Sequence, residues 1–286
     1  MTIIAVTAAS GQLGRAIVKA LTSNGSADRV IAIARIPDKA RDLGVEVREG
    51  DYTDRAGLER ALAGVDVVLL VSGVAAPNER IGQHRNVINA ARTAGVRKIV
   101  YTSIQGPDED TSFSPIVQSN RQTEQDLRES GLDWVIGRNG IYIEPDIAYI
   151  DTYKAVGEIA NCAGEGRCGY TTRGELAYAY AQLLASDAHN GRTCNLHGEA
   201  LTQAELADYI NHAFGTSLVY RAMSAEEYRQ DRIAELGEFM GTIIAGIYAG
   251  IRDGAFDNAS DYAEAAGRPH LSWRDYFTSQ KKEIDQ

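Results

Sequence analysis

The chain has 286 residues, of which 44% are hydrophobic, so it can bury a large core as one domain or as two unequal lobes. Its formal net charge of −10 argues against a nucleic-acid partner, because no basic face is offered to phosphates. The N-terminus has the composition of a strand rather than of a signal peptide, and no apolar run has the length of a membrane span, so we expect a soluble, cytoplasmic protein.

The first strand, loop and helix predict a nucleotide-binding fold. Residues 2–6 form a short apolar, β-branched run that is typical of a buried parallel strand. Small residues follow over 7–14, and a helical pattern then extends from Arg15 to Asn24. A pyrophosphate can lie on the N-terminus of such a helix. A plain strand-to-helix turn is the alternative, but the repeating strand and helix pattern that follows favours the nucleotide interpretation.

The loop has the spacing Ala8-x-x-Gly11-x-x-Gly14, with alanine where a first glycine is usual. Gly11 lets the backbone approach the phosphates, and Gly14 lets the helix pack close to the strand. Because Ala8 carries a Cβ, we expect this corner of the loop to avoid a positive φ.

The second strand, Arg29 to Ala34, ends at a residue that is informative for cofactor choice. A cation at this strand end accommodates the 2′-phosphate of NADP, whereas an acidic residue binds the ribose hydroxyl of NAD. Here Arg35 follows the strand and Lys39 lies one helical turn further on. An ordinary surface arginine is the alternative; the location at the strand end favours NADPH.

The third and fourth strands end in further candidate cofactor contacts. After strand Val45–Glu49, Asp51 can meet the adenine amino group or can simply cap its loop, and helix 54–63 follows. The apolar run Val65–Val71 is a central buried strand that stops at Ser72-Gly73, where small residues let a ribose pass. Helix 78–94 carries His84 within its apolar stripe, which favours a packing histidine over a catalyst.

The fifth strand, Arg97 to Tyr101, is followed by Thr102-Ser103. Short-chain dehydrogenases place a catalytic Ser or Thr near this point, so Ser103 is a candidate for a hydrogen bond to substrate. Their next element is a tyrosine with a lysine four residues later, which lowers the pKa of the phenol for general acid catalysis. None of the 14 tyrosines of this chain has lysine at that spacing.

The second half of the chain predicts one more strand of the sheet and a mostly helical end. The predicted segments are helix 115–130, strand Leu132–Gly137, a helix from Pro145 to Ala155, a turn region from Ile159 to Gly169, a helix capped by 171–175 that runs to Ser186, strand 193–196, helix 202–214, a short strand near 218–220 and further helices through Phe277. Thr202 and Glu205 form a capping box. The three cysteines, Cys162, Cys168 and Cys194, lack metal-like spacing and are expected to be reduced thiols.

Several segments together resemble a known family, the NmrA-like atypical short-chain dehydrogenases, and within it the branch of bacterial NAD(P)H:quinone oxidoreductases and triphenylmethane reductases. The likeness covers nearly the whole chain, and the order of the segments makes it specific. The segments are the loop 7–14, Arg35 with Pro37 and Lys39, 50–52, 83–91, 101–103, Thr123-Glu124, 138–142, 163–166 and 267–269.

The resemblance implies an α/β fold with a Rossmann-like parallel sheet, helices on both faces and a smaller, mostly helical C-terminal substrate lobe. The core would span 1–140 with 171–197 returning to it, and the lobe would comprise 141–170 and 198–286. NADPH is the implied cofactor and a quinone or other flat aromatic molecule the implied substrate, with no metal, no membrane and a monomer or homodimer. The candidate cofactor-binding residues are Thr7, Ala9, Ser10, Gly11, Gln12, Leu13, Arg35, Lys39, Asp51, Tyr52, Ser72, Gly73, Ser103, Asn139, Gly140 and Tyr142.

Two positions depart from the family pattern. Ala8 replaces a glycine, and Asn120 stands where histidine or lysine is usual, three residues before Thr123. An amide cannot supply a proton near neutral pH. The candidate catalytic residues are therefore Asn120, Tyr142 and Ser103, with Asn120 expected to orient substrate or cofactor and Tyr142, Ser103 or water left to supply the proton.

Three functions remain open from the sequence. The first is an NADPH-dependent reductase of quinone-like or conjugated aromatic acceptors. The second is a non-catalytic NADP-sensing regulator, and the third is another enzyme of the same fold, such as a redox enzyme with a different acceptor, an epimerase or a dehydratase. Tyr142, Tyr149, Tyr153 and Tyr170 are predicted to stack against a planar ring or, alternatively, to pack the C-terminal lobe.

Overall fold

The computed structural model describes residues 2–23, 25 and 27–284. Asn24, the predicted end of the first helix, and the outer bounds of the predicted lobes, 1 and 286, lie outside the described residues. The strands are β1 (Ile3–Val6), β2 (Arg29–Ala34), β3 (Glu46–Glu49), β4 (Val67–Leu70), β5 (Lys98–Ile104), β6 (Asp133–Asn139), β7 (Ile141–Tyr142), β8 (Glu158–Asn161), β9 (Cys168–Thr171), β10 (Arg192–Leu196), β11 (Ala200–Leu201) and β12 (Val219–Ala222).

Helices alternate with the strands in the first half of the chain and dominate its end. They are α1 (Gln12–Ser23), α2 (Arg55–Ala61), α3 (Pro77–Thr93), α4 (Pro115–Arg128), α5 (Glu144–Ala148), α6 (Ile150–Val156), α7 (Arg173–Ala185), α8 (Gln203–Phe214), α9 (Ala225–Arg252), α10 (Tyr262–Ala266) and α11 (Trp273–Ile284). The helix α9 is broken at Gly237, whose φ of 81° and ψ of 163° are not helical.

A seven-stranded sheet in the order β3-β2-β1-β4-β5-β6-β10 forms the core, and each neighbouring pair is parallel. The predicted Rossmann-like fold is confirmed. The strand order reverses between β1 and β4, and ligands bind in such sheets at the carboxyl ends of the strands beside this reversal. The late strand β10 joins this sheet beside β6 rather than the C-terminal lobe.

The side chains of β1 alternate between two faces, because successive residues of a strand point to opposite sides. Ile4 and Val6 pack in the cluster that holds Ile17 and Leu21 of α1, whereas Ala5 belongs to the cluster on the other face. Burial on both faces explains the continuous apolar composition of the strand.

The predicted helices and strands of the first half are confirmed, with shifted bounds. The strand β5 runs on through Ile104, and β6 runs on through Asn139. Thr102 and Ser103 therefore belong to the strand and point to its opposite faces instead of following it in a loop.

The C-terminal lobe contains two small sheets that the sequence did not predict. The strands β7, β9 and β11 form one sheet, and β8 pairs in parallel with β12. The prediction of a turn region over Ile159–Gly169 holds for residues 162–167 and is wrong at both ends, since β8 covers the first three residues and β9 the last two. Their partners include β11 and β12, which lie well downstream, and local periodicity carries no signal for such long-range pairing.

The predicted capping box is confirmed, since the Thr202 hydroxyl accepts from the backbone N–H of Glu205 and the Glu205 carboxylate accepts from that of Thr202. The predicted helix from Pro145 to Ala155 is two short helices, α5 and α6. Over the described ranges, no helix has the length and hydropathy to cross a membrane. The same residues contain no group of three or more His, Cys, Asp or Glu side chains placed to hold a metal ion.

Candidate active site

The loop after β1 is anchored by Thr7 at the reversal of strand order. Its fully buried hydroxyl donates to the carbonyl of Leu69 (2.8 Å) and accepts from the N–H of Val71 (3.0 Å). The hydroxyl of Tyr52 lies against Thr7 and donates to the Val71 carbonyl (2.8 Å). Two predicted cofactor residues, Thr7 and Tyr52, thus lie in contact, and their hydrogen bonds to Leu69 and Val71 fix the loop to β4.

The expectation for Ala8 is wrong, because its φ is +47°. The Ala8 carbonyl accepts from the Gly11 N–H (2.9 Å), and a Cβ added to Gly14 would lie 2.6 Å from that carbonyl oxygen. The close approach of α1 to the loop therefore requires the left-handed corner. An alanine held there costs about 1–2 kcal/mol, which a glycine would not.

The rest of the loop divides into a buried and an exposed part. Ala9 and Leu13 are buried in the core, and the Ala9 N–H donates to the carbonyl of Ile33 (3.0 Å). Ser10 is half-buried and Gly11 and Gln12 are exposed at the start of α1. The free N–H groups at this helix end are the ones that a pyrophosphate would engage.

The charged groups after β2 differ in whether they have a partner. Arg35 is exposed, and among the described residues its guanidinium makes no hydrogen bond or ion pair. Arg15, by contrast, binds Asp42 (2.5 Å) and the backbone carbonyl of Lys39. The side chain of Lys39 is exposed. Among the described residues, Arg35 and Lys39 are therefore both cations without a side-chain partner, and either is free to meet a phosphate.

Asp51 caps its own loop by accepting from the N–H and the hydroxyl of Thr53, both at 2.8 Å. The backbone hydrogen bond from Thr53, its hydroxyl and the nearby charge of Arg35 lower the pKa of Asp51 despite partial burial. The structure shows the capping role, and the adenine contact remains a prediction.

The backbone N–H groups of Ser72 and Gly73 are hydrogen-bonded to buried side chains. The Ser72 N–H donates to the Thr102 hydroxyl (2.9 Å), and the Gly73 N–H donates to Nε2 of His84 (3.0 Å). Nδ1 of His84 then faces the Thr123 hydroxyl (3.0 Å). Burial, with the charge of Arg80, lowers the pKa of His84 to about 3, so this neutral histidine positions the backbone, as its place in the apolar stripe predicted.

Asn120 lies on α4 with 2% of its surface exposed, and its amide is oriented by two donors. Its Oδ1 accepts from Nη2 of Arg80 (2.6 Å) and from the Tyr101 hydroxyl (3.0 Å). The Nδ2 group has no hydrogen-bond partner in the part of the chain that the structure describes. Because the oxygen is engaged twice, the amide offers N–H donors, and no ionisable proton, to a bound molecule.

Arg80 was missed by the sequence analysis. Its guanidinium is buried, donates to Asn120 and the Ser119 hydroxyl (3.3 Å), and has no carboxylate partner within the described residues. Its Nε is buried without any hydrogen bond. The only sequence signal was an arginine three residues into a helix that follows the central strand, which is also typical of a surface residue.

The proposed substrate contact of Ser103 is not supported by the geometry. Ser103 is 3% exposed, and its hydroxyl donates to Oε1 of Glu124 (2.7 Å). Glu124 also binds Arg138 (2.7 Å) and Arg121 (2.9 Å). Ser103 points to the side of β5 on which α4 packs, so its hydroxyl belongs to this buried ion-pair cluster.

Asn139, Gly140 and Tyr142 lie at the carboxyl end of β6. The Tyr180 hydroxyl donates to Oδ1 of Asn139 (2.6 Å), and a Cβ on Gly140 would lie 2.5 Å from the Gly169 carbonyl oxygen. The guanidinium of Arg173 lies 4.8 Å from the centre of the Tyr142 ring. Burial raises the pKa of Tyr142, although a hydrogen bond with Asn139 and the charge of Arg173 act against it.

Tyr142 also forms one wall of a cavity of about 710 Å³ in the C-terminal lobe. Five tyrosines line it beside aliphatic and charged side chains, and these tyrosines are Tyr142, Tyr149, Tyr153, Tyr228 and Tyr248. Tyr170 does not line it; this side chain is fully buried and its hydroxyl accepts from Gln203 (2.7 Å). Of the four tyrosines predicted to stack or to pack the lobe, three therefore reach the cavity and Tyr170 packs the lobe.

Asp146 lines the same cavity and was not singled out from the sequence. It is 6% exposed, and the Tyr153 hydroxyl donates to its Oδ1 (2.9 Å). It forms no ion pair with any described residue. Burial raises the pKa of Asp146 to about 6, against the hydrogen bond from Tyr153.

The residues at the carboxyl edge of the sheet fit NADPH on three observations. The Gly14 contact brings α1 against the loop, Arg35 is an exposed cation without a partner carboxylate in the described chain, and Asn120 offers unpaired N–H donors. Arg35 suits the 2′-phosphate, and the start of α1 suits the pyrophosphate.

Comparison with known proteins shows that the chain is similar to NAD(P)H-binding oxidoreductases. Residues 8–187 match the family model described as NAD(P)H-binding. Quinone oxidoreductase 2 of Escherichia coli is 36% identical over 229 residues, which are 79% of each chain. The structure of the NADPH-dependent quinone oxidoreductase from Escherichia coli, complexed with NADPH, superposes with a TM-score of 0.89 at 32% identity, over 96% of this chain and 99% of that one. For Citrobacter sp. triphenylmethane reductase, the TM-score is 0.89 at 33% identity, over 99% and 100%.

Proposed function

The chain belongs to the NAD(P)H-binding family, and from this premise we propose that it transfers hydride from NADPH to a quinone-like or conjugated aromatic acceptor. The family resemblance found in the sequence is confirmed. The observation that carries the proposal is the tyrosine-walled cavity, one wall of which, Tyr142, extends directly from the carboxyl end of β6. A flat conjugated ring suits such walls, since aromatic pairs stack at ring separations of roughly 4.5–7 Å.

The cofactor half of the proposal assigns roles to the residues at the sheet edge. The start of α1 and Arg35 bind the phosphates, Ser72 and Gly73 lie along the ribose, and Asn139 and Tyr142 border the nicotinamide. When bound there, NADPH supplies the hydride that reduces the acceptor. The protein supplies orientation and excludes water from the reacting atoms.

Asn120 acts as a fixed hydrogen-bond donor in this proposal. Arg80 and Tyr101 hold its oxygen, so its Nδ2 group is directed to the cofactor or to the acceptor oxygen. We expect Asn120→Ala to lower kcat/KM by roughly tenfold, the value of one net hydrogen bond of about 1.5 kcal/mol. Complete loss of turnover with unchanged NADPH binding would show that this position does more than orient.

The test is NADPH oxidation by the purified protein with a panel of quinones, azo and triarylmethane dyes and enones. Reduction of at least one conjugated aromatic acceptor, with product formed in equal amount to NADPH consumed, supports the proposal. A protein that binds NADPH in calorimetry and reduces no member of the panel would instead be the NADP-sensing regulator. Asn120 favours that alternative, because its amide cannot supply the proton that an ionising side chain at this position would supply.

A further inference from the structure

We propose that Asp146 and Tyr153 form the oxygen-binding site of the acceptor cavity, and that the neutral carboxyl of Asp146 gives its proton to the oxygen of an aromatic carbonyl acceptor. This inference rests on the proposed function and names the acid which that reaction lacks. Asn120 and the buried hydroxyl of Ser103 cannot fill that role, and burial raises the pKa of Tyr142, which makes its phenol a weaker proton donor.

The placement of Asp146 is the first argument. The short helix α5 sets the carboxyl on the cavity surface, and α6 returns the Tyr153 hydroxyl to it at 2.9 Å. Tyr153 is the one side chain that hydrogen-bonds Asp146 among the described residues, so part of the carboxyl remains available to a bound molecule. A buried polar group without full hydrogen bonding is unfavourable unless a ligand completes its contacts.

The surroundings of Asp146 are the second argument, because they contain no cation that would hold it ionised. The titratable groups that act on it from the packed elements are all weak acids, namely Tyr153 on α6, Cys168 and Tyr170 on β9, and Tyr228 and Tyr248 on α9. The cations of the cavity wall are already paired, Arg232 with Asp231 and Glu235 and Arg221 with Glu158. Glu144, on the same helix as Asp146, is paired with Arg173.

The chemistry balances with NADPH as the reductant. Hydride transfer oxidises NADPH to NADP⁺ and gives a quinone two electrons and one proton, which leaves one of its oxygens as an oxyanion. The O–H bond of Asp146 then breaks and a new O–H bond forms on that oxygen, which completes the hydroquinone. The carboxylate regains its proton from solvent, so each turnover consumes one proton. With a pKa of about 6, Asp146 is suited to both giving and regaining this proton near neutral pH.

The first experiment measures binding without turnover. The probe is 9-fluorenone, an aromatic ketone, titrated into the NADP⁺-loaded protein, which holds no reductant. The dissociation constant in wild type should rise roughly three- to tenfold between pH 5 and pH 8, as the hydrogen bond from the neutral carboxyl is lost. The infrared carbonyl band of bound fluorenone should shift over the same range of pH.

Two variants and one control variant make the result specific. Asp146→Asn still donates a hydrogen bond but cannot ionise, so fluorenone binding should become independent of pH. Tyr153→Phe removes the donor that stabilises the carboxylate, so the rise in the dissociation constant should persist and move to higher pH. Asp208→Asn removes an exposed carboxylate of α8 in the same lobe and should leave that rise unchanged.

The second experiment is the pH profile of kcat/KM with a quinone that wild type reduces. Wild type should lose activity about tenfold per pH unit above pH 6, and Asp146→Asn should be flat and about 100-fold slower at pH 6. If the protein reduces quinones but Asp146→Asn changes neither the pH profile nor the affinity for fluorenone, the inference is wrong and the proposed function still holds. If fluorenone binding depends on pH as expected but the protein oxidises no NADPH, the oxygen-binding site is supported and the proposed hydride transfer is refuted.

One further outcome would overturn the inference. If Asp146→Asn weakens binding of a cationic aromatic dye such as acriflavine and leaves fluorenone binding as in wild type, the carboxylate serves as a counter-ion. Asp146 would then select charged acceptors and would not protonate them.

Discussion

Two buried carboxylates, one in each part of the molecule, experience opposite environments. Glu124 lies in the Rossmann core with no exposed surface and contacts Arg121, Arg128 and Arg138. Burial acts to raise its pKa, but the hydrogen bond from Arg138 and the surrounding charges lower it overall. Asp146 in the C-terminal lobe has a side-chain hydrogen bond from Tyr153 alone among the described residues and no ion pair with any of them, and burial raises its pKa to about 6.

The two sites show that the neighbouring groups, and not burial alone, determine the protonation state of a buried carboxyl group. Glu124 stays ionised and joins α4 to β5 and β6, so its charge serves the fold. Asp146 can change its protonation state near neutral pH, so it is able to take part in proton transfer.

Glu124→Gln should lower the free energy of unfolding by about 3–5 kcal/mol, because among the described residues it leaves the buried Arg121 without a carboxylate and Arg138 with only the exposed Asp108. The matched control on the same helix is Asp126→Asn, which removes a partner of the half-exposed Arg85 and should cost at most about 1 kcal/mol. Urea unfolding at neutral pH measures both. A lowered pKa means that the stabilisation is present above the unfolded value and lost as pH falls, so the deficit should shrink below about pH 4.

Asp146→Asn should have the opposite sign and raise the free energy of unfolding at pH 7.5 by on the order of 2–3 kcal/mol. A raised pKa means that wild type loses stability as pH rises from about 4, the unfolded value, to about 6, the folded one. The gain should therefore be full above pH 6 and absent below pH 4. Equal stability of both proteins at pH 7.5 would mean that the charged carboxyl is not disfavoured by the fold.

Arg35→Ala extends the comparison to cations and should weaken NADPH binding by about 1.5–3 kcal/mol, with little change for NADH. The control is Arg41→Ala, which lies on the same connection and is already paired with Asp38 (2.8 Å). Calorimetric titration of both cofactors measures the effect. Equal affinity of wild type for NADPH and NADH would refute the assignment of Arg35 to the 2′-phosphate.

Ala8→Gly tests backbone strain instead of charge. It should raise the free energy of unfolding by about 1 kcal/mol, because glycine adopts the positive φ without strain. Its neighbour provides the control: Ala9→Gly, in the buried core, should lower stability by a similar amount. Thermal unfolding distinguishes the two signs. If Ala8→Gly destabilises, the left-handed corner is not a source of strain.

The sequence predicted the parts of the fold that depend on local pattern. The strand–loop–helix unit from Ile3 to Ser23 and the capping box at Thr202 each lie within a short window, where periodicity and capping chemistry act. The strands β8 and β9 were missed because their pairing is non-local. The φ of Ala8 was predicted wrongly because the packing of α1 overrides the local preference of alanine.

For the candidate site, the sequence predicted which residues lie at strand ends, but not the contacts between distant elements. Thr7 and Gly73 follow from the position of strand ends. The lack of a partner at Arg80 and at Asp146 depends on which side chains the fold brings near them, which no spacing in the sequence reveals. Ser103 shows the same limit, since its partner Glu124 comes from the next helix.

The neutral His84 has a practical consequence for experiments on this protein. With a pKa near 3, it keeps one protonation state throughout the range in which enzymes are assayed, so the hydrogen bond to the Gly73 N–H is the same in acid and in mild alkali. That backbone contact is thus independent of pH over this range. A change in activity between pH 5 and pH 8 therefore does not arise from the hydrogen bond between His84 and Gly73.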